Sequence, residues 1–366
     1  MALTSRQRLL RLFHGGDLDR IPIWLLSPYH DLAYYAPIYR LPCYRPLVEA
    51  MEDGCDIFDR RRPEMGFAYN AHPDIRMTDV HEPLREGKRV ACGGDALEAF
   101  VSREHNRTCR KFYVGEPEDL QKILAWPYLP PRPDLEVYRR EKDELGERGL
   151  LMMDLGDPLE PLYHLCDAAD FAMWTLTDLD ALLAFTDVMC ERALSLYRYF
   201  LEADIADAYF IVGAEFAGPP LVSPALFTRL CQRYVKAIVD LIREYGKISI
   251  IHFHGNLRSL LDGFAGIAPD GLHTIEAPPV GDCTIAQART VLGRETALIG
   301  NIQYDDLARK TPEEVRELTR VAIEEGGSGK FILSPTAGPY ETAPTERTIR
   351  NYLAMIEAGL EFGRLT

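Results

Sequence analysis

The sequence predicts an α/β chain, residues 1–366, folded as one (β/α)8 TIM barrel with a meander inserted after the first strand, at residues 56–112. Three observations lead there. Short β-branched apolar runs alternate with amphipathic stretches roughly every 25 to 40 residues, the rhythm of βαβ units and a parallel sheet. About eight such runs start near residues 21, 56, 150, 208, 248, 271, 296 and 331, the number that closes a barrel. No G-x-G-x-x-G follows an early strand and no phosphate-binding G-x-x-x-x-G-K-[ST] appears, which removes the main open-sheet alternatives.

In order, Met1 to His14 reads as an amphipathic helix capped by Thr4 and Ser5, with Leu9, Leu10, Leu12 and Phe13 as its apolar stripe. Asp19 to Leu26 is the first strand. Residues 28–46 carry more tyrosine and proline than a solvated loop needs and are expected to fold over something. Within 56–112, the run Asp59-Arg60-Arg61-Arg62 reads as a solvated or salt-bridged edge. After the proline-rich link 127–133 come a helix at 135–148, a strand at 150–154 and helices at 159–169 and 178–203. The strand 208–212 leads through Glu215 to a helix at 224–245, and the strand 248–254 to a helix at 257–264. Strands at 271–276, 296–301 and 331–334 alternate with helices at 284–292, 312–325 and 345–362.

The formal charge of −15 is spread along the chain, which argues against nucleic acid or an anionic membrane as the main partner. The eight cysteines include no Cys-x-x-Cys pair and suit reduced thiols in a cytoplasm. The N-terminal stretch lacks the continuous apolar core of a signal peptide, and no run is long enough to span a bilayer. A soluble, cytoplasmic protein is expected.

In a barrel, chemistry gathers where strands end. Here those ends carry Trp24, Asp154, Asp157, Glu215, His252, His254, Glu276, Asn301 and Ser334. The most telling run is Ile248-Ser-Ile-Ile-His-Phe-His-Gly-Asn256, because side chains two apart on a strand share a face. His252 and His254 can therefore converge, and with Glu215 they make a plausible divalent-metal set, zinc or similar, with a position left open. Glu215 alternatively orients a histidine with no metal bound, while Glu276 is a fourth ligand, a ligand's partner or a general base. Asp154, Glu276 and Asn301 are the candidate catalytic groups; Trp24, Tyr29, His30 and Ser334 are candidate substrate contacts. His273 reads as core or helix-facing, and His164 as a packing histidine on an apolar helix. No Gly-x-Ser-x-Gly elbow is present.

Several motifs together resemble the uroporphyrinogen decarboxylase superfamily, which also holds the cobalamin-dependent methyltransferases. They are Arg6-Gln-Arg8, Asp19-Arg-Ile-Pro-Ile-Trp24, Ser223-Pro-Ala-Leu-Phe227, His252-Phe-His-Gly255, Ile275-Glu-Ala-Pro-Pro279 with Gly281-Asp282, Gly300-Asn301 and Phe331-Ile-Leu-Ser-Pro335. The resemblance implies a (β/α)8 barrel with its site at the C-terminal mouth, and a homodimer. It further implies a methyltransferase moving a methyl group between a small molecule or a corrinoid protein and a carrier, or else a decarboxylase. The departures bear on which. The decarboxylases' Arg-Gln-Ala-Gly-Arg run is replaced by Leu26-Ser-Pro-Tyr-His-Asp31, without arginine. The methyltransferases' zinc-binding His-x-Cys becomes His252 and His254, and Ala337 stands at the place of their late cysteine. Metal-assisted methyl transfer leads, ahead of a metal-free decarboxylase or lyase acting on a carboxylated small molecule and of a non-catalytic ligand-binding barrel.

Overall fold

The computed structural model describes residues 3–104, 107–327 and 329–365. The first two residues of the expected N-terminal helix lie outside these. Eleven strands form two sheets among the described residues. β1 (Ile57–Arg61) is followed by β2 (Arg76–Glu82), β3 (Arg85–Cys92), β4 (Asp95–Glu104) and β5 (Arg107–Lys111). Then come β6 (Gly149–Asp154), β7 (Ala208–Ile211), β8 (Ile248–Phe253), β9 (Gly271–Thr274), β10 (Ala297–Ile302) and β11 (Phe331–Pro335). β1 and β6 to β11 make a seven-stranded parallel sheet in chain order, and β2 to β5 an antiparallel meander of their own. β1 thus belongs to the main sheet, and the meander starts only at Arg76.

The expected first strand is the one run that forms no regular strand. Pro22 has no N–H to give a ladder. The segment is nonetheless bonded on both sides. Trp24 N donates to Leu333 O at 2.9 Å, Leu333 N donates to Pro22 O at 2.9 Å, and Asp56 N donates to Ile23 O at 2.6 Å. It lies between β11 and the residues that open β1.

Strand alternation divides the core. Phe58, Leu150, Met152, Phe210, Ile248, Ile250, Ile299 and Ile332 pack with Trp24 inside the curl of the sheet. Their neighbours Leu151, Met153, Tyr209, Ile251, Leu272 and Leu298 pack in the layer shared with the helices. Each strand therefore carries its even and odd residues into different clusters.

The helix Ser5–His14 starts at Thr4 in a capping box with Gln7, as its sequence expects. Four helices were not anticipated, Arg45–Gly54, Pro117–Ala125, Ala168–Thr177 and Tyr304–Arg309; the first two open with a proline in the first turn, where its missing N–H costs nothing. No helix among the described residues is long and apolar enough to cross a membrane.

Arg8 ties the first helix to the sheet. Its guanidinium reaches Asp19 Oδ1 at 2.7 Å and Asp56 Oδ1 at 2.6 Å; Asp56 also accepts from Arg20 at 2.7 Å and from Ile23 N at 3.0 Å. Asp56 is almost fully buried, so removing its carboxylate strands two cations and a backbone donor. Replacing Asp56 with Ala is expected to lower unfolding free energy by about 3–5 kcal/mol, read from the urea midpoint at unchanged m-value.

Candidate functional site

The C-terminal ends of the strands open into a cavity of about 630 Å³. Arg60, Asp154, Glu215, His252 and His254 line it, together with tyrosines from two loops. Alternation places the first of these. Phe58 lies inside the curl, so Arg60 follows it on the same face and Arg62 comes two further on. The arginines are not a solvated edge: Arg60 is buried and Arg62 about one third exposed.

Asp154, at the end of β6, holds both. Arg60 donates to its Oδ2 through Nε at 3.1 Å and Nη2 at 2.5 Å, and Arg62 Nη1 donates to Oδ1 at 3.0 Å. Burial pushes the Asp154 carboxyl up, but the two guanidinium charges outweigh it and hold the pKa below the ordinary carboxylate value. Arg62 also pairs with Glu160. Arg60 Nη1 donates to Tyr35 Oη at 2.7 Å, and the guanidinium lies 4.8 Å from the Phe210 ring centroid. Tyr34, Tyr35 and Tyr340 wall the cavity, with the rings of Tyr35 and Tyr340 parallel to within 3°. The tyrosine-rich segment does fold over something: this cavity.

Glu215 sits on the short turn Ala214–Ala217 after β7, and its buried Oε2 has no hydrogen-bond partner. Burial raises its pKa; backbone hydrogen bonds and the charge of His254 offset only part of that. The carboxyl is biased towards its protonated form.

His254 Nδ1 lies 3.1 Å from Glu276 Oε1, and Glu276 Oε2 accepts from Gly255 N at 2.7 Å. Burial pulls the imidazole down, yet the hydrogen bond and charge of Glu276, with Glu215 behind it, more than compensate, so its pKa is raised. A carboxylate–imidazole dyad of this kind fixes the tautomer and makes the free nitrogen a better base.

His252 behaves differently. The ladder pairs it with His273 on β9, and the two Nδ1 atoms are 2.7 Å apart. His273 is therefore inside the curl, because Leu272, not His273, faces the helices. Burial lowers the pKa of His252 well below the usual imidazole range and that of His273 to about 3.

Not every expected site residue reaches the cavity. Trp24 lies beneath it, edge-on to Phe58 and Phe210, with its indole N–H unpartnered. Asn301 and Ser334 are paired in register on the inner face but do not line the cavity; Ser334 Oγ donates to Pro335 O. Tyr29 lines a separate cleft of about 1030 Å³ beside the N-terminal ends of β1 and β6. His30 is turned outward by Asp59, 2.6 Å away, and Glu144, 3.1 Å away. His164 lines the cavity from an exposed position instead of packing on its helix. Asp157 is buried against the backbone N–H groups of Leu159 and Glu160.

The expected metal set of Glu215, His252 and His254 does not form. Among the described residues no three His, Cys, Asp or Glu side chains are placed to hold an ion. His252 and His254 each keep one nitrogen on a partner, His273 and Glu276, and one free, with the two imidazole planes crossing at 89°. As placed, these donors do not converge with Glu215 on one point. The residues that sequence reasoning missed are Arg60, Arg62 and His273. Period-two counting from Phe58 carries the two arginines inward.

A methyltransferase from Methanosarcina mazei has a similar fold, with 18% sequence identity and a TM-score of 0.63 over 98% of this chain and 99% of that one. A B12-independent methionine synthase from Shewanella sp. W3-18-1, solved with selenomethionine, aligns with 12% identity and a TM-score of 0.47 over 93% of this chain and 97% of that one. No curated protein matches the sequence. The uroporphyrinogen decarboxylase (URO-D) family profile matches residues 114–360, more than half of the chain, and the protein therefore belongs to the uroporphyrinogen decarboxylase family.

Proposed function

We propose that the chain is a methyltransferase that works by acid–base catalysis in a closed (β/α)8 barrel, with the segment 21–26 as its eighth stave. The observation that carries this is one cavity lined both by Glu215, whose buried Oε2 has no hydrogen-bond partner, and by His254, which is bonded to Glu276. A proton donor and a proton acceptor facing one space are what transfer of a methyl group from oxygen to sulfur requires. The substrate is a small methoxy compound. The carrier is a thiol; a corrinoid protein in its place rests on the family resemblance alone.

His254, while neutral, takes the proton of the acceptor thiol, and Glu276 steadies the imidazolium that results. The sulfur attacks the methyl carbon; its C–S bond forms as the C–O bond breaks. Glu215 gives its proton to the departing oxygen. The balance is R–O–CH3 + R′–SH → R–OH + R′–S–CH3, and a proton passing from His254 to Glu215 restores both groups. Holding donor and acceptor in line supplies the remaining advantage over solution.

A second reading is favoured by Arg60 and Arg62 in the cavity wall. A carboxylated substrate could lie against them, lose carbon dioxide, and have its carbanion protonated by Glu215. Incubation with 13C-methoxy compounds and thiols, followed by NMR, separates the two. An S-methyl product supports the first reading; carbon dioxide from carboxylic acids with no methyl movement replaces it with the second. Replacing Glu215 with Gln is expected to cut turnover by about 10²–10⁴-fold while methoxy-donor binding persists.

The base must be neutral, so kcat/KM is expected to rise as pH climbs through a pKa above the ordinary imidazole value of 6.5. Replacing Glu276 with Gln removes the charge that raises it and leaves burial, which lowers it. The acidic limb of the profile then moves to lower pH; a limb that stays in place removes His254 as the base. Calorimetric titration with zinc is expected to give binding weaker than about 1 μM, and a chelator is expected to leave turnover unchanged.

A further inference from the structure

We propose that His252 offers the cavity a permanent hydrogen-bond acceptor, its Nε2 lone pair, and that His273 is the positioning residue that fixes it. The argument is a chain of donors. His273 Nε2 lies 3.1 Å from Pro335 O, and a carbonyl only accepts, so His273 must carry its proton on Nε2. Its Nδ1 is then bare and can only accept. His252 Nδ1, 2.7 Å away, must donate, which leaves His252 Nε2 bare. The reversed arrangement would set a lone pair against the Pro335 carbonyl. Burial, which takes the pKa of His273 down to about 3, acts in the same direction by disfavouring an imidazolium there.

The ring geometry agrees. The two imidazole centroids are 4.9 Å apart with planes 18° from parallel. Since the Nδ1 atoms themselves are only 2.7 Å apart, the rings meet edge to edge, as an in-plane N–H···N bond demands. His252 lines the cavity, and its Nε2 has no partner among the described residues. Its neighbours define the ligand. Burial raises the pKa of Glu215 and Glu276 raises that of His254, whereas burial lowers that of His252, whose Nε2 in this tautomer only accepts. The ligand atom seated against it must carry an O–H or N–H, such as a phenolic or alcoholic hydroxyl or an amine. On the methyl-transfer reading this suits the hydroxyl left when the methyl departs; the acceptor role rests on that reading only for what the hydroxyl belongs to.

The test is long-range 1H–15N NMR of the full chain labelled with 15N-histidine, the His252 and His273 signals being assigned by substitution. The expected result is a protonated Nδ1 on His252 and a protonated Nε2 on His273 in the ligand-free protein. Finding His252 protonated on Nε2 would overturn the proposal, whatever the outcome of the methyl-transfer assay. Replacing His273 with Asn keeps an acceptor oxygen near the position of Nδ1 and should preserve the His252 tautomer. Replacing it with Leu should shift His252 towards the Nε2–H form, and an unchanged His252 would show that His273 is merely structural. Should the Leu variant not fold, the wild-type and Asn spectra still decide. With phenol as probe, the His252 Nε2 resonance should move, and with anisole, which lacks the donor, it should not. Phenol binding should weaken about tenfold in the Leu variant. A His252 signal indifferent to phenol removes the ligand assignment.

Discussion

The buried carboxylate of Asp154 is the point on which the functional end of the molecule depends. It has no exposed surface, and desolvating such a charge costs several kcal/mol unless its oxygens are filled. They are filled by Arg60 of β1, by Arg62 just beyond its end and by the N–H of Gly156. Arg60 in turn is held by Tyr35 and lies against Phe210. One carboxylate therefore joins β1, β6, the tyrosine-rich segment and, through Phe210, β7. One side of the cavity wall is built by satisfying this charge.

The same bonds limit what the cavity can bind. Arg60 and Arg62 bring two positive charges, and Asp154 and Glu160 answer them in place. A carboxylate arriving from solution would compete with carboxylates already held at hydrogen-bond distance. This weakens the case for a substrate bearing several acids. The remaining ionisable groups follow suit. Burial drives Glu215, Asp157, His252 and His273 towards their uncharged forms. The one imidazole pushed the other way, His254, has Glu276 as counter-charge. The cavity is thus polar without carrying much net charge.

Most of the scaffold was legible because burial on both faces writes parallel strands as continuous apolar runs. The run at residue 21 is the exception, since Pro22 cannot feed a ladder although the segment is bonded on both sides. Site residues were legible where one strand's own alternation decides, as for His252 and His254. They were illegible where a neighbouring strand decides. His252 pairs with His273 through the register of β8 on β9, and no inspection of either strand alone yields that register. A run of Asp59, Arg60, Arg61 and Arg62 looks solvated by composition, yet alternation turns Arg60 inward and Asp59 outward to His30. Tyr29 and His30 were misplaced because loop residues carry no period by which to place them.

The proposed acid–base pair and the expected metal set turn on the same two histidines. Where the resembling methyltransferases place a thiolate, this chain has His254, an imidazole whose Nδ1 is within reach of Glu276. A thiolate is a soft ligand with nothing to hand on, whereas an imidazole beside a carboxylate accepts and returns a proton. Once Glu276 claims His254 and His273 claims His252, the nitrogens left over serve different ends. One is a base whose affinity for protons is raised, the other an acceptor whose affinity is suppressed. A metal centre needs its free donors to converge on one point, and among the described residues no three do; the proposed proton-handling site needs only that the two nitrogens differ. The neighbours on β9 and beyond it make them differ.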